Sequence, residues 1–422
     1  MRILNYIKEN YIFLFFVFLA FFPTIRILVV GTSSSSNILE FIVSSLPEVC
    51  FLVVLFFSAK QFRKTGFETK HFLDKLFFLY ILYNILVGVL VANDLIISIY
   101  AIRLTYLPML IYFIASFSRL EFYTFEIVLE KIFTFFVWIG IIGLVLYFVV
   151  PDFQNYFLLK ATNGIIAEYF IIRFTSILWT PVVFSSIATA SIIYWFFRFL
   201  MDNRRIYLLY LAILSLCLFL SVSRGAMIAL VFCILLIGVL KMDWKKLLLV
   251  LLLQISVFSV VGFYISNPLD FGAWIIKSSK ETVEMKKGVT RVDLWQKSNK
   301  NLYKYPFGLG LGKAGHVAAR FHSKDNSRVS TCSTDGWYLK LLLETGYFAL
   351  AFYIAICFLV FWQWWRYFRK FGFDILTFIF VLGCAVSIQN IVSNVLDFYL
   401  FSYLYWFIFG IFILKLKRVS NV

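Results

Sequence analysis

The feature that most constrains this chain is its series of apolar runs of about 20 residues, interrupted by only one long polar segment. A run of that length crosses the hydrocarbon core of a bilayer as a helix, because a helix satisfies its own backbone hydrogen bonds there. The 422-residue chain is 62% hydrophobic and 14% charged, whereas a soluble domain is nearer half apolar. The sequence therefore predicts an all-α polytopic membrane protein.

The apolar runs predict about twelve transmembrane helices. Helices 1–9 occupy residues 1–266, a large polar loop occupies residues 267–335, and helices 10–12 with the C-terminus occupy residues 336–422. In chain order, the twelve predicted spans are Tyr11–Val30, Ile38–Ser58, Leu76–Val91, Ile97–Phe117, Ile132–Val150, Ile177–Phe199, Ile206–Ser221, Ala226–Leu240, Leu247–Ile265, Trp337–Phe361, Ile375–Val392 and Phe398–Leu414.

The net charge of +17 is gathered mostly in short clusters between apolar runs, where cations set membrane topology rather than bind nucleic acid. The short loops Gly31–Asn37 and Asn93–Leu95 carry no Lys or Arg. The positive-inside rule then places both termini in the cytoplasm and the large loop outside. The clustered cations all fall on the predicted inner side, and they are Lys60, Arg63, Lys64, Lys70, Arg204, Arg205, Lys241, Lys245, Lys246, Arg366, Arg369, Lys370, Lys415, Lys417 and Arg418.

Arg224 interrupts a tight apolar hairpin, Ser221–Ala226, between predicted spans seven and eight. A charge near the hydrocarbon edge is costly unless it is paired or faces a wet cavity, so Arg224 is a candidate functional residue. The neighbouring Ser and Gly permit close backbone approach, and exposed amides there can hold an anion. The alternative is an arginine that only marks the membrane interface.

Other arginines extend the same chemistry. Thr290 and Asp293 form a capping-box pattern that predicts a helix to about Tyr303. Arg291 would then lie at the amino end of this helix, where an arginine and free backbone amides together make a good phosphate site. The alternative for Arg291 is a solvated surface residue. Arg103 and Arg173 are further candidates, because several guanidinium groups meeting in one outer cavity would hold a diphosphate bidentately.

The glycine run between Pro306 and Gly315 resembles a dinucleotide-binding fingerprint, but it follows no parallel strand, so that interpretation fails. Gly308 and Gly310 instead predict a mobile loop, or one whose backbone approaches a ligand.

Three residues are candidates for a general base. His316 and His322 follow the glycine run, although exposed loop histidines often have no function. Asp335 precedes a predicted helix, where it is either a cap or a carboxylate that activates an acceptor hydroxyl. Lys340 and Glu344, four residues apart on that helix, are predicted to pair.

With these motifs identified, the chain resembles the O-antigen ligase/polymerase-like membrane proteins of bacterial surface polysaccharide assembly. The resemblance rests on Ser221–Ala226, on Arg291 and Trp295 ahead of Tyr305–Gly312, and on Thr334–Tyr347. In that family, ligases move a finished glycan from undecaprenyl pyrophosphate to lipid A-core, and Wzy-type polymerases join lipid-linked repeat units. Ligases typically place a histidine just before the last of these helices. This chain has Asp335 near there instead, with its histidines well upstream, and that departure favours a polymerase.

The resemblance implies a metal-independent glycosyltransferase of the bacterial inner membrane, without a cofactor, that polymerises undecaprenyl-pyrophosphate-linked oligosaccharide into O-antigen or capsule. The implied partners are that lipid-linked oligosaccharide, the lipid bilayer, a flippase and a chain-length regulator, with no nucleic acid. The ligase is the first alternative; the second is a lipid-linked oligosaccharide flippase, which would carry its charges within the spans. The implied catalytic residues are Arg224, Arg291, Asp335 and His322, and the implied substrate-binding residues are Arg173, Arg103, Gly308, Gly310 and Tyr338.

Overall fold

A computed structural model describes residues 2–30, 42–66, 71–92, 94–118, 122–150, 173–178, 180–265, 284–285, 289–290, 305–321 and 336–420. These residues are mostly helical, which confirms the predicted all-α class, and the described strands are one antiparallel pair of two residues each. The helices are α1 (Arg2–Val30), α2 (Leu46–Thr65), α3 (Phe72–Val91), α4 (Leu95–Thr105), α5 (Ile111–Ser116), α6 (Phe122–Val149), α7 (Pro181–Asp202), α8 (Ile206–Leu220), α9 (Arg224–Lys241), α10 (Trp244–Ile265), α11 (Gly315–Phe321), α12 (Trp337–Phe371), α13 (Ile375–Val392) and α14 (Tyr399–Ser420), with 3₁₀ turns at Pro108–Leu110 and Val395–Asp397 and strands β1 (Glu284–Met285) and β2 (Val289–Thr290).

Within the described part of the chain, nine helical segments are long and apolar enough to cross a membrane, and two shorter apolar helices, Asn10–Arg26 and Ile206–Leu220, accompany them. The chain is thus a multi-pass membrane protein, but the number twelve is not confirmed. The predicted second span differs most. Helix α2 starts at Leu46 and contains Glu48 and Lys60, so its uncharged stretch is shorter than the roughly 20 residues that a bilayer requires.

The chain folds into two compact units. The first comprises Met1–Thr69, Phe117–Val261 and Tyr399–Leu404, and the second comprises Lys70–Ser116, Gly262–Phe398 and Tyr405–Val422. In the first unit, α7 is buried along nearly its whole length and packs against α6, α8 and α9. Its many Ser, Ala and Thr residues allow close packing of helices, as is usual in membranes. Thr180 caps the helix, because its hydroxyl accepts a hydrogen bond from the Val183 amide at 3.1 Å.

A buried ion pair closes one end of the second unit. Lys417 Nζ lies 2.7 Å from Asp74 Oδ2 and donates a hydrogen bond to the carbonyl of Ser116. The same carboxylate accepts hydrogen bonds from the Tyr112 hydroxyl and the His71 amide, both at 2.7 Å. Lys417 therefore differs from the exposed cation that the topology rule assumes. Its charge is buried and is balanced by a carboxylate from the start of α3.

Helix α12 contains a break that positions the functional part of the second unit. Gly346 has φ of 82° and ψ of −173°, which is not helical, and it is a conformation that only glycine adopts readily. The part of α12 after Gly346 has about 25 residues, enough at roughly 1.5 Å per residue to span a bilayer alone. The part before it, up to Thr345, is almost completely buried, so other segments of the second unit pack against it.

Candidate functional site

The hairpin turn between α8 and α9 brings together two of the predicted arginines. Arg173 Nε donates a hydrogen bond to the carbonyl of Ser221 at 2.9 Å, and its Nη2 donates to the carbonyl of Val222 at 3.4 Å. Arg224 is the first residue of α9, directly after this turn. Arg173 together with Ser221–Arg224 is called the arginine hairpin below, and it lies within the first unit.

The arginine hairpin is held in a fixed conformation. Val222 adopts a left-handed backbone with φ of 51°, which is unusual for a β-branched residue. The Phe174 amide donates to the carbonyl of Leu220 at 3.0 Å, and the Ser176 hydroxyl donates to the carbonyl of Ile139 on α6 at 2.8 Å. The segment that carries Arg173 is therefore tied to both the hairpin and α6. Such ties are typical of a site whose geometry is set before a ligand binds.

The electrostatics of the arginine hairpin favour an anion. The first amides of a helix have no intrahelical acceptors, and the helix dipole adds partial positive charge at that end. Ser223, at the N-cap of α9, makes no side-chain capping bond. Arg224 lies at the same end and is partly exposed, as is Arg173. Arg224 begins α9 and Arg173 bonds the turn before it, so both arginines belong to a helix amino end, which is a common location for phosphate oxygens.

In the second unit, the glycine loop (Tyr305–Gly315) docks on the break in α12. Because the Tyr347 amide donates to the carbonyl of Pro306 at 3.1 Å, the carbonyl of Leu343 is left without its helical partner. The Leu309 amide donates to that carbonyl at 2.7 Å. The Gly310 amide likewise donates to the carbonyl of Glu344 at 3.1 Å. The glycine run and the helix break thus satisfy each other's backbone groups.

Close packing accounts for the glycines of this loop. A Cβ on Gly308 would lie 2.6 Å from the carbonyl of Glu344, and one on Gly310 would lie 2.5 Å from the Cα of Ala92. Both residues also have positive φ, at 84° and 94°. The backbone that these glycines approach is the chain's own, and the loop is packed against it. Contact of Gly308 and Gly310 with substrate stays a prediction.

A buried charged cluster lies beneath the glycine loop, formed by Thr105, Lys340, Glu344 and Asp397. Lys340 Nζ lies 2.6 Å from Asp397 Oδ1, 2.8 Å from the Thr105 hydroxyl and 4.0 Å from Glu344 Oε2. Glu344 Oε1 accepts a hydrogen bond from the Gly312 amide at 3.0 Å. The predicted pairing of Lys340 with Glu344 is thus the longer of two contacts, and the main partner is Asp397.

Some buried polar atoms around this cluster can still form hydrogen bonds. Asp397 Oδ2 and both side-chain amide atoms of Asn390 are buried and lack a hydrogen-bond partner among the described residues. A Cβ on Gly315 would lie 3.2 Å from Asp397 Oδ2, so this oxygen points toward the end of the glycine loop. Buried polar atoms are normally paired, and these atoms are therefore suited to bind a hydroxyl group or water.

The remaining predicted residues fall at different places. Arg103 lies on α4 with its guanidinium carbon 5.7 Å from the centroid of the Tyr100 ring, in the second unit. Tyr338 lies in the first turn of α12, and its ring centroid is 6.0 Å from that of Tyr353. The exposed His316 ring lies 5.0 Å from the ring of Phe398. The residues Arg291, His322 and Asp335, and the helix predicted after Thr290, lie outside the described residues.

The fold defines a multi-pass membrane protein, and the arginine hairpin carries two cationic residues at the amino end of α9. Residues 209–354 match the model of a family described as O-antigen ligase. That segment includes the hairpin turn, the glycine loop and the break in α12, and the match supports the predicted O-antigen ligase/polymerase-like family over these residues. Proteins of this family transfer glycosyl groups. None of the curated proteins compared with the chain matches it.

Sequence reasoning missed Asp397 and Thr105. Both lie outside the family-matched segment, and Asp397 is the only charged residue between Asp374 and Lys415. That context is itself a signal, since a charge within the bilayer requires a partner. The clue was available at Asp397, which stands alone between two apolar runs. Its partner Lys340 is 57 residues away, and no local pattern connects them.

Proposed function

We propose that this protein is a polysaccharide polymerase that joins oligosaccharide repeat units carried on undecaprenyl pyrophosphate, at the outer face of a bacterial inner membrane. The observation that carries the proposal is the bonding of Arg173 to the turn directly before Arg224. It joins two cations and a helix amino end in one rigid element, which suits a pyrophosphate.

In the proposed reaction, the bond between the anomeric carbon of the donor sugar and its pyrophosphate oxygen breaks. A bond forms between that carbon and an acceptor hydroxyl oxygen. The acceptor proton passes to a base, and undecaprenyl pyrophosphate leaves with the bonding electron pair. Arginines stabilise the leaving group as its charge develops. Asp335 or His322 is the proposed base, Arg291 is a further phosphate ligand, and a flippase and a chain-length regulator act with the enzyme.

The second unit supports the acceptor side of this proposal. Helix α12 begins at Trp337, two residues after Asp335 in the sequence, and Lys340 anchors its first turn to Asp397. Because a catalytic base must be positioned, the anchored start of α12 is the observation that favours Asp335 over His322 in this proposal. We expect Asp335→Asn to abolish polymer formation while His322→Gln retains it. The opposite result would assign the base to His322.

The first test uses a deletion strain and a gel of its surface glycan. If acceptor molecules carry a single repeat unit, and the restored gene returns long chains, the polymerase proposal is supported. The family description favours a ligase as the second candidate, and a ligase deletion would leave long polymer on the lipid carrier. Single lipid-linked units held on the cytoplasmic side would instead indicate transport.

The second test addresses the arginine hairpin. We expect Arg224→Ala to reduce the polymerisation rate at least 100-fold, because removal of one group that stabilises developing charge costs about that much. Arg224→Lys should recover only part of the rate, since lysine lacks the planar fork. The control is Arg205→Ala, which removes an exposed arginine from the start of α8 in the same unit. Equal loss in both variants, at equal membrane insertion, would contradict the proposal.

A further inference from the structure

A cavity of about 420 Å³ lies in the first unit beside the basic end of α2. Its walls are apolar and include Phe13, Phe57 and Phe125, and its rim carries Lys60 and Lys64. The described residues that line it include these two lysines and no carboxylate. The cavity therefore combines an apolar interior with a cationic rim.

The rim is organised by the helices around it. Lys60 and Lys64 are four residues apart on α2, so they lie on one face of that helix, and both are exposed. The Tyr11 hydroxyl of α1 donates to Gln61 Oε1 of α2 at 3.1 Å. Both residues line the cavity, so this bond joins α1 to α2 at the cavity wall, next to Lys60 in the sequence.

A third cation borders the cavity. Lys131 Nζ donates a hydrogen bond to Asn10 Oδ1 at 2.8 Å, and Asn10 lines the cavity. Lys131 itself lines a second cavity of about 520 Å³, and Phe13 lines both cavities. Glu130 also lines the second one, with Arg198 at 3.8 Å. The two cavities thus share an apolar wall at Phe13, and together they present an apolar surface bordered by Lys60, Lys64 and Lys131.

We propose that this surface binds an anionic phospholipid, with its phosphate between Lys60 and Lys64 and its acyl chains against the aromatic walls. The lysines lie on the predicted cytoplasmic side, where anionic lipids attract basic residues, and basic pockets between membrane helices bind such head groups. We expect a zwitterionic lipid to bind less tightly, because Lys60 and Lys64 repel its ammonium group. The inference does not depend on the proposed catalytic function.

The test is native mass spectrometry of the full-length protein in detergent with added dioleoyl phosphatidylglycerol or dioleoyl phosphatidylcholine, which have identical chains. Each cation near an anionic head group contributes roughly fivefold in affinity. We expect Lys60→Gln/Lys64→Gln to bind the first phosphatidylglycerol about 30-fold more weakly than the wild type. The control is Arg366→Gln/Lys370→Gln, which removes two exposed cations, also four residues apart, from α12.

Three results would overturn the inference. The first is equal loss in both double variants, which indicates attraction by net charge alone. The second is equal binding of the two lipids to the wild type, which indicates a site for chains without head-group recognition. The third is full competition by soluble glycerol phosphate, which indicates a free phosphate site. Loss of phosphatidylglycerol binding confined to Lys60→Gln/Lys64→Gln, with no competition by glycerol phosphate, supports it.

Discussion

Lys340→Met removes the cation that lies between two buried carboxylates, Asp397 and Glu344. At the observed 2.6 Å separation of Lys340 Nζ and Asp397 Oδ1, Coulomb attraction is about 6 kcal/mol at an effective dielectric constant of roughly 20. Desolvation of two ions costs several kcal/mol each, so the intact pair contributes little net stability. Loss of one partner is different, because the remaining charge stays buried, at a cost of about 3–5 kcal/mol.

The geometry predicts unequal effects for the two partners. Lys340→Met leaves both carboxylates without their cation, so we expect a loss of about 5 kcal/mol in the free energy of unfolding. Asp397→Asn leaves Lys340 with Glu344 at 4.0 Å, so we expect about 3 kcal/mol. In the Lys340→Met background, Asp397→Asn removes a repelled charge and should cost nothing. The coupling in this double-mutant cycle is therefore about 3 kcal/mol.

Unfolding in mixed detergent micelles, followed by tryptophan fluorescence, measures these free energies. The control pair is Lys415 and Asp374, which are 2.8 Å apart with both side chains 22% exposed. Partial exposure reduces the value of an ion pair to about 0–1 kcal/mol, so Lys415→Met should have little effect. Additive effects of Lys340→Met and Asp397→Asn, or equal effects of Lys340→Met and Lys415→Met, would refute the reasoning.

Two further predictions concern backbone geometry and pH. Gly346→Ala should lower the free energy of unfolding by about 3 kcal/mol more than Gly372→Ala does. The two glycines have similar positive φ. A Cβ at Gly346 would overlap the Pro306 carbonyl, whereas a Cβ at Gly372 would meet open space. Burial lowers the pKa of His71, an effect opposed by Asp74. The unfolded chain therefore binds more protons than the folded chain, so the free energy of unfolding should fall as pH drops below about 6.5. His71→Asn keeps a capping side chain but does not titrate, so it should flatten this dependence. Unfolding measured from about pH 7.5 to about pH 5 tests both expectations.

The helices were predictable from the sequence because a bilayer imposes a simple length requirement on apolar runs. Prediction was less accurate where charge and backbone chemistry intervene within such a run. Helix α2 continues past the predicted end at Ser58 to Thr65 and so includes Lys60. The predicted span Ile97–Phe117 is confirmed as the apolar segment Leu95–Ser116, but Pro108, which lacks an amide hydrogen, begins a 3₁₀ turn within it. Hydropathy averages over both effects.

The site was predictable in its residue types but not in its pairings. Arg224 was identified by its charge in an apolar hairpin, yet nothing local connects it to Arg173, 48 residues before Ser221. The glycine run was visible, but its partner is a helix break at Gly346 that helical periodicity conceals. Lys340 was assigned to Glu344 by their spacing of four residues, whereas the shorter contact is to Asp397. Pairings of this kind depend on tertiary packing.

The pairing of Lys417 with Asp74 has a consequence for biosynthesis. The two residues are far apart in the chain, so a ribosome that makes this protein inserts α3 long before Lys417 emerges. During that interval the Asp74 carboxylate lacks the cation that balances its buried charge in the complete second unit. Completion of the second unit is therefore linked to the final helix. A chain that terminates before Lys417 would leave α3 with an unmatched buried acid, at a cost of about 3–5 kcal/mol to the second unit.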